Sequence, residues 1–346
     1  MLSSRHYIIT ITSTLLLSSK PAIPQFFTPK KDIKQSLLSI AYYIESANNS
    51  INSLDGLLKK DNYRNKITSL NNPTNNELGF SLKNEILNAL KPILAKAKKT
   101  DGKKFKDVIE NFLNNPEENG IGSVKKYLPA LGIFSTVLSL VGNLVIVEKS
   151  ITKEDLNDFT AKIQQFFVQY EKLNAINEQF GTEVQKLLEK SEEAKEDLRV
   201  FLIECITTMN PVFSKQNLKD QQVEVLVQKY YDPQKLQMWL DTAKLNADAS
   251  LFPPDAPMSV KLLTSQIKKL QKEFESVYLD NYKQLKDLIS SLKTTIPNLD
   301  QEQVDKTTAE IDKLYNESRM ADLINLNISQ VDDRMNTVCR NINSGK

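Results

Sequence analysis

An uninterrupted heptad pattern runs through the middle of this 346-residue chain and limits what it can fold into. Fifteen positions from Leu156 to Cys205 recur at alternating steps of three and four, and all are apolar or small except Asn177 and Ser191. Such spacing places them on one stripe of an α-helix. Thr152 and Asp155 predict an acidic capping box before the stripe. The pattern predicts one helix over 153–208, roughly 80 Å long.

Three further stripes of the same kind flank this one. They run over 33–58, over 260–296 with a one-residue drift near Val277, and onward from Asp300. Heptads of this length favour helices lying nearly side by side, and short links such as 294–300 make neighbours antiparallel. The predicted fold is all-α: an elongated antiparallel bundle of long coiled-coil-like helices with an apolar segment or hairpin and a small helical cap. Asn177 and Ser191 are expected to set its register or to be tolerated edge positions, and a hydrated channel is the alternative.

The rest of the chain suggests how the bundle is organised. Residues 1–30 form an N-terminal tail or a signal-like segment, and 31–346 a single helical-bundle domain. Residues 59–80, rich in Asn, are expected to be a loop, and 81–98 and 103–115 short amphipathic helices. Residues 209–257 are predicted to be a cap of short helices whose Trp239 lies in the core. The two cysteines, Cys205 and Cys339, are either buried free thiols or a single bridge.

The chemistry expected of enzymes and nucleic-acid-binding proteins is not visible in the composition. Lys and Arg number 45 against 43 Asp and Glu, which does not predict a nucleic-acid-binding surface. The single histidine, His6, lies in the N-terminal segment, so no catalytic triad is predicted. No cofactor, metal or catalytic residue is expected. The Lys96–Lys99 run is expected to be balanced by nearby acidic residues.

One segment contrasts with this polar chain. Residues 127–147 carry no charge, between Lys126 and Glu148, and about 20 such residues as a helix match the thickness of a bilayer core. The run permits three structures: a membrane-spanning helix, a hairpin turning at Gly142-Asn143, or a helix buried at the centre of a large bundle.

A rod of long helices carrying one short apolar segment resembles the α-helical pore-forming toxins of the cytolysin A, non-haemolytic-enterotoxin and α-xenorhabdolysin type. The 127–147 run and the heptads carry this resemblance, which is one of layout over about residues 30–345. In this chain the run precedes the longest helix instead of lying midway between two equal ones.

The resemblance implies a soluble protein that inserts its apolar segment into a lipid membrane and assembles with itself or with a second toxin component. It implies that Lys125 and Lys126 contact lipid headgroups. The side chains expected to enter lipid are Leu131, Ile133, Phe134, Val137, Leu138, Leu140, Val141, Leu144, Val145, Ile146 and Val147.

Two functions are consistent with the sequence. The first is a membrane-active protein of the pore-forming kind, secreted or soluble and later membrane-associated. The alternative is a non-enzymatic helical scaffold or adaptor, which would be cytoplasmic and bind protein partners through coiled-coil surfaces.

Overall fold

The computed structural model describes residues 29–114, 130–242 and 251–318, and in these ranges the regular structure is helical. The predicted all-α bundle is confirmed. In chain order the helices are α1 (Pro29–Lys59), α2 (Asn62–Leu70), α3 (Leu82–Lys96), α4 (Lys99–Asn114), α5 (Ala130–Val147), α6 (Lys153–Met209), α7 (Lys215–Leu218), α8 (Val223–Leu226), α9 (Pro233–Thr242), α10 (Ala256–Thr295) and α11 (Gln301–Ser318).

Helix α6 is the spine of the molecule. Its 57 residues span roughly 85 Å at about 1.5 Å per residue. The predicted capping box is present: Thr152 Oγ1 accepts from the Asp155 amide, and Asp155 Oδ2 accepts from the Thr152 amide at 2.9 Å. Thirteen of the fifteen predicted stripe positions are buried, and Leu156 and Asn177 are half-buried, so the heptad prediction is confirmed.

Helices α1 and α10 lie along α6 and complete the long part of the bundle. Asn52 and Lys59 of α1 contact Lys195 and Glu192 of α6, which makes the two helices antiparallel. On α10, Glu273 pairs with Lys190 while Thr295 approaches Gln169, so α10 is antiparallel to α6 as well. The long helices therefore share one core, formed by the sides that the heptads predict.

The middle of the bundle holds an aromatic cluster with a polar centre. The Tyr63 ring lies 5.8 Å from the rings of both Phe180 and Tyr278, measured between centroids. The Tyr63 hydroxyl donates to Asn281 Oδ1 at 3.0 Å, and the Tyr278 hydroxyl donates to the carboxylate of Asp61. Burial raises the pKa of Asp61, against the opposing effect of the hydrogen bond from Tyr278. This network joins α2, α6 and α10.

The loop predicted over 59–80 is only partly correct, because Asn62–Leu70 forms α2. Asp61 caps this helix by accepting from the Arg64 amide at 2.9 Å. Asp is a preferred N-cap residue, but the Asn-rich composition around it led to the prediction of a loop. Beyond α2 the chain turns at Gly79, whose φ is +81°. A Cβ there would lie 2.8 Å from the Asp300 carbonyl oxygen, so the turn requires glycine.

The cap consists of α7, α8, α9 and a π-helical turn at Val227–Tyr231. Leu226, Tyr231 and Leu240 are its buried anchors. The prediction that Trp239 lies in the core is wrong: 42% of it is exposed, because α9 turns Leu236 and Leu240 inward instead. Cys205 is a buried free thiol, and Cys339 lies outside the described residues.

Candidate membrane-active segment

The apolar run folds as one continuous helix, α5. Its 18 residues carry no charge, and helical structure continues through Gly142 and Asn143. The hairpin interpretation is therefore wrong. A turn there would leave backbone groups unpaired, whereas the helix satisfies them internally. The hydroxyl of Thr136 also donates to the Gly132 carbonyl oxygen, at 2.8 Å.

The side chains of α5 are sorted by face. Ile133, Val137, Val141 and Leu144 recur at helical spacing and are buried. Ser135, Ser139 and Asn143 lie on the opposite face and are exposed, and Ile146 beside them is 80% exposed. Of the remaining predicted insertion residues, four are half-buried along the flanks: Phe134, Leu138, Leu140 and Val145. The side chains of Leu131 and Val147 lie outside the described part of the structure.

Helix α5 therefore lies at the edge of the bundle and not at its centre. It packs on the first third of α6 and more lightly on α4. The ring of Phe134 contacts that of Phe167, with centroids 4.5 Å apart. Within the described ranges no side-chain hydrogen bond or ion pair joins α5 to another helix. The attachment is one of apolar contact.

A five-residue turn over 148–152 joins α5 to α6, and polar contacts hold this turn to the end of α3. Ser150 Oγ donates to the Lys96 carbonyl oxygen at 2.7 Å. Lys96 Nζ lies 2.7 Å from Asp155 Oδ1. The ammonium group of Lys96 lowers the pKa of Asp155 to about 2, assisted by the Thr152 amide. Polar contacts thus fix the turn that follows α5, which we call the base of α5, whereas the helix itself is held by apolar contacts.

The predicted headgroup contacts, Lys125 and Lys126, lie outside the described residues. None of the helices within 29–114, 130–242 and 251–318 is both long and apolar enough to cross a membrane. The same ranges contain no cluster of three His, Cys, Asp or Glu side chains arranged to hold a metal ion.

A second concave feature lies between α6 and α10. It is a groove of about 240 Å³ lined by polar side chains such as Gln179 and Gln284 and by the edge of Phe180. Its two carboxylates, Glu183 and Asp280, are already engaged with Lys186 and Ser276. The Ser276 hydroxyl donates to Asp280 Oδ2 at 3.2 Å as an i,i+4 contact on the exposed side of α10.

Comparison of the chain with known protein families, with curated proteins and with solved structures finds no match. The assignment of a function therefore depends on the geometry of α5 and its surroundings.

The sequence did not reveal the grouping of charge around the base of α5. Lys96–Lys99 is distant from Lys149 and Lys153 along the chain, and the composition predicts that acidic residues balance the run. The contacts of Lys96 with Ser150 and with Asp155 bring the two segments together. The one signal in the sequence was the excess of lysine over 96–104.

Proposed function

We propose that the protein is membrane-active, of the pore-forming kind, and that it acts by moving α5 from the surface of α6 into a lipid layer. One observation supports this most: an uncharged helix lies at the edge of a charged bundle and is held along its length by apolar contact alone. The apolar surface that α5 buries on α6 would be buried again in lipid, whereas water would leave it exposed.

The backbone of α5 suits that transfer. A segment that enters hydrocarbon must already satisfy its own amide and carbonyl groups, because lipid offers no partners. Helix α5 meets this condition before it moves, since it is helical from Ala130 to Val147. Its exposed serines and Asn143 are small polar residues of the type that packs helices together in membranes. Several copies inserted side by side would disrupt the lipid layer without any single α5 having to cross it.

Leakage of dye from lipid vesicles tests the proposal, with Ser139→Asp as the informative variant. Ser139 is exposed at the middle of α5, so a carboxylate there leaves the resting bundle intact. In hydrocarbon the same carboxylate costs about 2.5–3.5 kcal/mol per helix. Inner-face residues such as Val137 are unsuitable, because a charge there would disturb the resting fold.

The matched control is Ser290→Asp, the same substitution at an exposed position of α10. We expect the wild-type protein and Ser290→Asp to release dye equally, and Ser139→Asp to release it at least about tenfold more slowly. Unfolding free energies of the three proteins should agree within about 0.5 kcal/mol. Intact vesicles with the wild-type protein, or equal leakage by both variants, would reject the proposal.

A second candidate, the helical scaffold or adaptor, has one observation in its favour. Large apolar side chains are exposed in the cap and at the start of α10: Met238, Trp239, Met258 and Leu262. Tryptophan and methionine are enriched where proteins bind one another. If this is the function, vesicles stay intact with wild-type protein and with both serine variants.

A further inference from the structure

The end of the bundle that carries the base of α5 gathers four chain segments. These segments are the end of α3, the start of α4, the turn over 148–152 and the start of α6. Two contacts join them. Ser150 Oγ donates to the Lys96 carbonyl oxygen at 2.7 Å, and Lys96 Nζ lies 2.7 Å from Asp155 Oδ1. We refer to this end, residues 96–104 and 148–155, as the lysine end.

The lysine end is more positive than the protein as a whole. Its two segments contain seven lysines and four acidic residues, a net charge of +3, against +2 for the entire chain. Among the described residues, five of these lysines are exposed, and their ammonium groups have no hydrogen-bond or ion-pair partner: Lys98, Lys103, Lys104, Lys149 and Lys153.

The acidic residues of the lysine end do little to offset that charge at the surface. Asp155 is occupied by Lys96 and by the Thr152 amide. Glu148 is buried, and Asp101 is half-buried in the first turn of α4. Of these four acidic residues, Glu154 is exposed. The N-termini of α4 and α6 point to this end, and the C-termini of α3 and α5 do so too, so the helix dipoles largely cancel there and the lysine side chains carry the positive charge.

The position of this charge relative to α5 indicates what it binds. Lys149 follows the last residue of α5 by two positions, and α4, which carries Lys103 and Lys104, packs against α5. A cluster of lysines beside an apolar helix matches an anionic bilayer surface, where phosphates lie directly above hydrocarbon. A soluble polyanion would pair with the lysines but would offer no apolar surface to α5.

We propose that the lysine end is a docking surface for anionic lipid headgroups, and that it sets α5 against the bilayer before α5 is released. This inference rests on the proposed function and adds to it a lipid class and an orientation. The five lysines are exposed in the resting protein, so the surface is accessible without any conformational change.

Vesicle binding and dye release, measured together, test the docking surface. The vesicles contain phosphatidylcholine alone or phosphatidylcholine mixed with phosphatidylserine. One variant replaces the five exposed lysines of the lysine end by Gln. The matched control replaces by Gln five lysines of the cap and α10 that are equally exposed: Lys219, Lys261, Lys269, Lys272 and Lys283.

We expect the wild-type and control proteins to bind the anionic vesicles more tightly than the neutral ones. The lysine-end variant should lose at least about tenfold in affinity for anionic vesicles, because each lysine near such a surface raises the affinity about fivefold. High salt should remove the same preference by screening. With neutral vesicles the three proteins should bind and leak alike.

Three results would overturn the inference. Equal binding of wild-type protein to neutral and anionic vesicles would do so while leaving the proposed function intact, provided that dye is released. Equal losses in the two variants would show that net charge, not the lysine end, is responsible. Lysine-dependent binding of a single-stranded oligonucleotide without binding to either vesicle would assign the surface to nucleic acid and also reject the membrane function.

Discussion

The spine α6 carries two seams of very different chemistry. Toward α10 the contacts include hydrogen bonds and ion pairs, such as Lys190 Nζ to Glu273 Oε2 at 2.6 Å and Gln266 Nε2 to Asp197 Oδ2 at 3.0 Å. Toward α5 the described contacts are apolar, with the Phe134–Phe167 pair as the one ring contact.

The two seams would respond differently if a helix left the bundle. A polar pair loses its partner when one helix departs, and lipid cannot replace that partner. An apolar surface finds equivalent neighbours in protein and in hydrocarbon. Under the proposed function α10 therefore stays in the bundle, and α5 is the helix that moves into lipid.

The largest effect that separates the seams is expected from matched truncations of phenylalanine. Phe180→Ala, in the aromatic cluster where Phe180 is 2% exposed, should lower the free energy of unfolding by about 3–5 kcal/mol. Phe134→Ala, on half-buried α5, should lower it by roughly 1–2 kcal/mol. Urea unfolding of both variants gives the comparison. Equal losses would mean that α5 belongs to the same cooperative core as α10.

A smaller effect is expected at Asp61, the polar centre of the permanent bundle. Asp61→Ala removes the α2 cap and leaves the buried Tyr278 hydroxyl without its acceptor, at a cost of about 2–3 kcal/mol. Asp61→Asn is the control, because its amide oxygen still caps α2. If Asp61→Ala unfolds at the same urea concentration as Asp61→Asn, the α2 cap is not stabilising.

The pH dependence at Asp61 follows from its raised pKa. The folded protein holds this proton up to a higher pH than the unfolded chain, whose carboxyl has the ordinary value of 3.8. Asp61 therefore favours the folded state most below that pH, and this contribution declines as pH rises through the folded pKa. Wild-type stability relative to Asp61→Asn should fall from acid toward neutral pH. A rising difference would contradict the assignment.

The smallest effect is expected at the base of α5. Asp155→Asn should lower the melting temperature slightly at neutral pH, because it weakens the contact with Lys96 at an exposed site. The Asp155 pKa is lowered to about 2, so its contribution is present above the unfolded value of 3.8 and is lost as pH falls to about 2. The two proteins should therefore melt alike near pH 2. A difference that persists there would come from packing.

The long helices could be predicted because their burial repeats along the chain. Every third or fourth residue of α6 faces the core, so the period itself locates the helix and its buried side. The same holds for α10, where the predicted drift appears as burial passing from Phe274 to Tyr278 while Val277 stays half-buried. Long-range contacts were not needed for these predictions.

Other features depend on contacts that the period does not encode. Helix α2 was missed because its stability comes from the Asp61 cap and the burial of Tyr63 against α6 and α10, inside an Asn-rich segment. For α5 the composition showed an apolar segment, and the spacing of Ser135, Ser139 and Asn143 at steps of four was the available signal of one exposed face. The contacts of its turn with Lys96 join residues far apart in the chain, so the period could not predict them.

Locking α5 to α6 tests the central claim most directly. In a protein with Cys205→Ala and Cys339→Ala, the pair Phe134→Cys and Phe167→Cys replaces two rings in contact and can be joined by a short thiol crosslinker with a cleavable centre. We expect the locked protein to keep its fold and to release no dye from anionic vesicles, and we expect release to return when the crosslinker is cleaved. Undiminished leakage while the crosslink is intact would contradict the proposal that α5 leaves α6.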